Sequence, residues 1–224
     1  MKVFLTGNRG RIGSFVERQL REDGHEVVGF DIAIRGDILD ADAVARAMVG
    51  CDGIAHLVML MGRDYPRDQV FASGTVGNWN VLDAAEKEGV NRLVSCSSVS
   101  AIGLFMGECE LDFIPFAEEH ACRPGRPYAT SKYVGEQMCR LFTERTGISK
   151  VCMRPPTVLS DERVASMRRA RRSGVDPLLG IWLLHTRRRL GACHGVFIDL
   201  SLLEHEVQLV VAEDISSRAM SSQE

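Results

Sequence analysis

Apolar positions along the chain fall into short unbroken runs that alternate with stretches of helical period. Val3, Phe4 and Leu5 are apolar on successive residues, as expected of a strand buried on both faces. Gly7, Gly10 and Gly13 then punctuate a turn into a helix predicted over about residues 14–22, and residues 25–30 read as a second strand. A helical pattern covers 41–49, with apolar residues at 44, 47 and 48, and 53–60 is a third buried strand. Residues 78–89 predict a helix with apolar positions at 81, 82, 84 and 85 and Gly89 as its stop. Residues 90–96 give a fourth strand that runs into Ser97 and Ser98. The stretch 103–126 is irregular and long for a bare connector, which favours a functional loop. Helical periodicity returns from Pro127 to about Thr146, with Gly147 as its stop. This rhythm predicts an α/β fold, a doubly wound parallel sheet whose ligands sit at the carboxyl ends of the strands.

Composition narrows the classes. A chain of 224 residues, 45% hydrophobic and 25% charged, fits one ordinary globular domain. A net charge of −3 gives no reason to expect nucleic acid or an anionic membrane as partner. The seven cysteines (51, 96, 109, 122, 139, 152 and 193) contain no C-x-x-C pair and read as small apolar fillers in a reducing compartment. His185, His194 and His205 with Cys193 have no metal-ligand spacing, so no metal is expected. The chain opens directly on a strand and holds no membrane-length apolar run, which makes cytoplasm the expected compartment. Two basic runs, Arg163 with Arg168, Arg169, Arg171 and Arg172, and Arg187 to Arg189, read as solvated helix faces ahead of a dock for a substrate phosphate or carboxylate.

The first turn has the chemistry of a dinucleotide site. Gly7 permits the tight turn, Gly10 lets backbone approach a pyrophosphate, and Gly13 lets helix and strand pack closely. Free N–H groups at the helix start would face the phosphates. Asp31, ending the second strand, can accept both hydroxyls of an adenosine ribose and would repel a 2′-phosphate, favouring NAD over NADP; Arg35 softens that preference. Asp37 could reach an adenine amino group or act as a helix N-cap. His56, inside an apolar run, reads as a satisfied core histidine. Tyr128 and Lys132, four apart, share a helix face. An ammonium near a phenol favours the phenolate, which suits proton transfer with a substrate hydroxyl near neutral pH.

The set T-G-N-R-G-R-I-G (6–13), Asp31, G-D-I-L-D (36–40), H-L (56–57), N-V-L-D-A-A (80–85), S-S-V-S-A-I-G (97–103), Y-A-T-S-K (128–132) and R-P-P (154–156) resembles the extended short-chain dehydrogenase/reductase superfamily, in its NAD-dependent epimerase/dehydratase branch. The resemblance implies a Rossmann domain over residues 1–160 and a reduced substrate lobe over 161–224, integrated with it. It implies that Gly7, Gly10, Arg11 and Ile12 hold the pyrophosphate, with Asp31 on the adenosine ribose and Asp37 and Ile38 at the adenine. Leu57 would line the cofactor channel and Pro155 would start the loop beside the carboxamide. Ser98, Tyr128 and Lys132 would be catalytic: Ser98 bonding the substrate oxygen, Tyr128 as acid/base, Lys132 on the nicotinamide ribose.

The implied activity is NAD-dependent hydride transfer at a carbinol carbon of a sugar or sugar-derived substrate, in a homodimer built on the helices near 78–88 and 128–146. Three departures stand out. Gly74 occupies a place where the family often has Asn, and Val99-Ser100 follows Ser98 where dehydratases carry Asp-Glu, which disfavours dehydration. The region after Ser160 is short for a substrate lobe, with residues 204–214 expected as a strand of it. That shortness keeps a non-catalytic dinucleotide-binding regulator as the alternative.

Overall fold

The computed structural model describes residues 1–61, 65–103, 109, 112, 120–155, 157–158, 183–184 and 206–209. Six parallel strands form the main sheet: β1 (Lys2–Thr6), β2 (Glu26–Phe30), β3 (Gly53–His56), β4 (Arg92–Cys96), β5 (Ser149–Arg154) and, after the short pair β6 (Thr157–Val158) and β7 (Leu183–Leu184), β8 (Glu206–Leu209). Their spatial order is β2-β1-β3-β4-β5-β8. The strand expected in a C-terminal lobe is therefore β8, and it pairs with β5 at the edge of the main sheet, Cys152 opposite Val207.

Among the described residues, four helices connect β1 to β5: α1 (Arg11–Glu22), α2 (Ala41–Met48), α3 (Arg67–Lys87) and α4 (Pro127–Thr146). Alternation along the strands feeds two cores. Phe4, Ile54, Leu93 and Cys152 face the layer containing Val44, Met48, Leu82 and Phe142 of α2, α3 and α4. Val3, Leu5, Ala55, Val94 and Val151 face Val16 and Leu20 of α1. With both faces covered, β1, β3, β4 and β5 are apolar on successive residues, as at Val3-Phe4-Leu5, Ile54-Ala55, Leu93-Val94 and Val151-Cys152-Met153.

Local signals set the boundaries. Asp40 caps α2, its carboxylate accepting from Ala43 N at 2.9 Å. Asp37 is not that cap; it holds the preceding turn by accepting from Leu39 N at 2.9 Å. Pro127 opens α4, and Gly147 closes it at φ +71. The third strand ends at His56 rather than at residue 60, because Leu57 N and Val58 N turn to Thr6 Oγ1, at 3.0 and 3.2 Å.

Candidate active site

The order of strands reverses beside β1, with β2 on one side and β3 on the other, so a crevice opens at their carboxyl ends. The glycine turn forms its floor. Gly7 has φ +72, and a Cβ there would stand 2.8 Å from Val58 N, so the turn from β1 passes directly under the chain leaving β3. Gly10 is the N-cap of α1 and provides no side chain to bond the first-turn N–H groups. The first turn carries no acid either, leaving a positive helix end at the crevice. Gly13 packs so closely that a Cβ would lie 2.0 Å from Gly7 O.

Asp31 stands at the tip of β2, its carboxylate accepting from Arg9 N at 3.2 Å and from Ala33 N at 2.9 Å. It therefore faces the glycine turn while keeping lone pairs for further donors. Arg11 lies exposed beside the turn and donates from Nη1 to Val158 O at 3.3 Å, tying the turn to β6. Ile12 packs its side chain on the strand core, and Ile38 is buried against Gly77 with its carbonyl accepting from Asn80 Nδ2 at 2.9 Å. Asp37 is exposed at the rim, and Leu57 forms the wall above Gly7.

The second half of the crevice lies at the ends of β4 and β5. Ser98 is buried, in extended conformation, with Oγ accepting from Ser100 N at 3.1 Å. Val99 N donates to Pro155 O at 3.2 Å, which joins the tips of the two strands. From α4, Lys132 Nζ donates to Cys96 O at 2.6 Å and lies 5.9 Å from the Tyr128 ring centroid. Val99 N–Pro155 O thus joins the tips of β4 and β5, Lys132 reaches the last residue of β4 with Tyr128 on the same helix, and Asp31 meets the glycine turn at Arg9 N.

His56 is a core histidine. Its Nδ1 lies 2.9 Å from Thr6 Oγ1, and burial, aided by the Lys132 charge, pushes its pKa down to about 3. Among the described residues no cluster could hold a metal, the described cysteines are free, and no helix is long and apolar enough to cross a membrane. Both basic runs, the three late histidines and Cys193 lie outside the described residues.

Sequence reasoning missed a buried ion pair beneath this cluster. Glu136 accepts from Arg154 Nε at 2.8 Å and from Nη2 at 2.7 Å, and from the Ser97 hydroxyl. Burial alone would lower the Arg154 pKa, but the bond to Glu136 outweighs it and holds the guanidinium above its usual value. The signal was present: Glu136 follows Lys132 by one helical turn on the face that α4 buries.

Three comparisons bear on this geometry. The model for the family described as NAD dependent epimerase/dehydratase matches residues 3–174. A 2-alkyl-3-oxoalkanoate reductase of Stenotrophomonas maltophilia is 29% identical over 69% of this chain and 50% of its own length. A uronate dehydrogenase of Pseudomonas syringae pv. tomato is 28% identical over 68% of this chain and 58% of its own. Among solved structures, uronate dehydrogenase from Agrobacterium tumefaciens superposes with a TM-score of 0.76 at 20% identity, covering 99% of this chain and 82% of that one. The chain spans about half the length of the curated relatives it matches.

Proposed function

The chain belongs to the NAD-dependent epimerase/dehydratase family, and from that premise we propose that it is an NAD-dependent oxidoreductase acting at a carbinol carbon of a sugar or sugar-derived substrate. NAD, when bound, supplies the carbon that takes or gives the hydride. The chain's own residues fit that group. The uncapped start of α1 and the cradle at Gly7 and Gly10 suit a pyrophosphate, and Asp31 suits a ribose diol while repelling a 2′-phosphate.

At the other end, Tyr128 removes or returns the hydroxyl proton and Ser98 Oγ holds the substrate oxygen. Lys132 keeps a positive charge beside the phenol and bonds the nicotinamide ribose. The observation that carries this reading is the position of Lys132 Nζ. It is 2.6 Å from Cys96 O, two residues before Ser98, and one helical turn from Tyr128. We favour a dehydrogenase or reductase over an epimerase because the reductase and the dehydrogenase named above match 69% and 68% of this chain, against 61% for a UDP-glucose 4-epimerase of Streptomyces lividans. The apolar residues left exposed on the outer helices, Trp79 and Val76 of α3 and Leu141 of α4, suit a homodimer through those helices.

NADH binding followed by fluorescence, then a screen of uronates and nucleotide sugars with NAD and of 3-oxo acids with NADH, tests the proposal. Turnover of a sugar acid or sugar supports it. Turnover of 3-oxo acids alone removes the sugar and keeps the chemistry. NADH binding with no turnover leaves a dinucleotide-binding regulator, and no binding removes both.

A further inference from the structure

We propose that Glu136 is a positioning residue that sets the three elements of the nicotinamide end in register; this rests on the reading above. Glu136 lines the same small cavity as Lys132, Cys96 and Ser97, and its one carboxylate joins all three elements. It lies on α4, two turns beyond Tyr128 and one beyond Lys132. One oxygen accepts from Ser97, the residue before Ser98 on the β4 side, and from Arg154 Nε. The other accepts from Arg154 Nη2, and Arg154 ends β5 directly before Pro155. Arg154 Nη2 also reaches Cys122 Sγ at 3.2 Å, in the segment that leads into α4.

Side-chain exposure of 4% for Arg154 and 1% for Glu136 removes both charges from water. A buried ion pair is weak evidence for stability, since well-packed apolar residues of similar volume often serve as well. What an apolar pair lacks is direction. A carboxylate accepting two parallel bonds from a guanidinium and a third from a hydroxyl fixes the distance and angle between three backbones. Lys132 adds a fourth tie one residue earlier, at Cys96 O. The β4 tip is thus held from α4 at residues 96 and 97, so Ser98 is presented to the crevice at a set place relative to Tyr128.

Ser97→Ala is the informative variant, because it removes one tie and leaves the Glu136–Arg154 pair whole. Glu136→Gln, which keeps an acceptor for Ser97 and removes the charge, is the second. For Ser97→Ala the expected result is an unchanged thermal midpoint and roughly 10- to 100-fold lower kcat, with a smaller change in the substrate KM. NADH affinity should fall about tenfold while affinity for ADP, which lacks the nicotinamide half, stays as in the parent. A purely structural pair predicts a lower midpoint with both affinities and kcat preserved in the folded fraction.

Unchanged kcat together with an unchanged NADH-to-ADP affinity ratio in Ser97→Ala overturns the proposal, as does an equal loss of NADH and ADP binding. A selective fall in either kcat or NADH affinity supports it. If the parent binds NADH but turns nothing over, the hydride-transfer reading falls, and the affinity ratio still decides the role of Glu136.

Discussion

Lys132 Nζ lies 2.6 Å from the carbonyl oxygen of Cys96, which ties the middle of one helical turn of α4 to the last residue of β4. The bond draws the ammonium toward the sheet edge, so it stands beside the Tyr128 ring rather than in solvent. Tyr128→Phe removes only the hydroxyl. It is expected to lower kcat by about 10²- to 10⁴-fold, the range for a lost acid/base group, with NADH affinity nearly intact. Lys132→Met should lower both kcat and NADH affinity, because that residue also holds a ribose in the proposed site. Steady-state rates with NADH titrations check the pair, and a Tyr128→Phe enzyme with the parent's rate removes Tyr128 from the chemistry.

Asp31 accepts two backbone N–H groups, one from the glycine turn and one from its own 3-10 turn, Ile32–Ile34. Asp31→Asn keeps an acceptor but loses the charge that would repel a 2′-phosphate. The variant should lose about tenfold of its preference for NAD over NADP, one bidentate contact's worth of discrimination, at a stability cost of about 1 kcal/mol. Parallel NADH and NADPH titrations measure this. Tighter NADPH than NADH binding by the parent would show that the carboxylate does not read the ribose.

The first four strands and α4 are legible because their signals are local. Val3, Phe4 and Leu5 are apolar on both faces, and α4 has Pro127 at one end and Gly147 at the other. Helix α3 was legible only from residue 78, although it begins at Arg67. Its first half hides behind glycines that read as breakers but are contact points. A Cβ on Gly74 would meet Ser131 Oγ at 2.5 Å, and one on Gly77 would meet Ile38 Cγ2 at 2.9 Å. The sequence does not mark β5 as a strand, and β8 reads as part of a lobe, because which strand pairs with which is settled by long-range packing rather than by period. Helix spacing places Glu136 on the buried face of α4 but does not name Arg154 as its partner, which lies on a separate element.

Gly10 and Gly13 separate folding from binding. Gly10 has φ −74, which alanine adopts freely, and an added Cβ would stand 3.2 Å from Gly7 O. Gly10→Ala should fold with a loss within about 1 kcal/mol, yet place a methyl where phosphate oxygens approach and weaken NADH at least about tenfold. Gly13→Ala puts Cβ 2.0 Å from Gly7 O, a backbone atom that cannot swing aside. It should cost about 3 kcal/mol or more and yield little folded protein. Urea titration and NADH fluorescence on both variants check this. A Gly10→Ala protein with the parent's affinity would mean that the turn does not carry the cofactor.

His56 makes stability depend on pH. Its folded pKa is depressed to about 3 from an ordinary value of 6.5, because burial, then the Lys132 charge, disfavours the imidazolium. Below pH 6.5 the unfolded chain takes up a proton that the folded chain refuses, so stability falls as pH drops from 6.5 and levels off near 3. Each unit of that window costs about 1.4 kcal/mol, or about 2 kcal/mol by pH 5. Carboxylates titrate in the same range, so the comparison must be with a variant. His56→Asn keeps a polar partner for Thr6 Oγ1, now 2.9 Å from the ring nitrogen, and does not titrate. Urea unfolding between pH 7 and 5 should show the parent losing about 2 kcal/mol more than His56→Asn over that interval. Equal slopes would mean that the folded protein accommodates the imidazolium, through water entry beside Thr6 or displacement of Lys132.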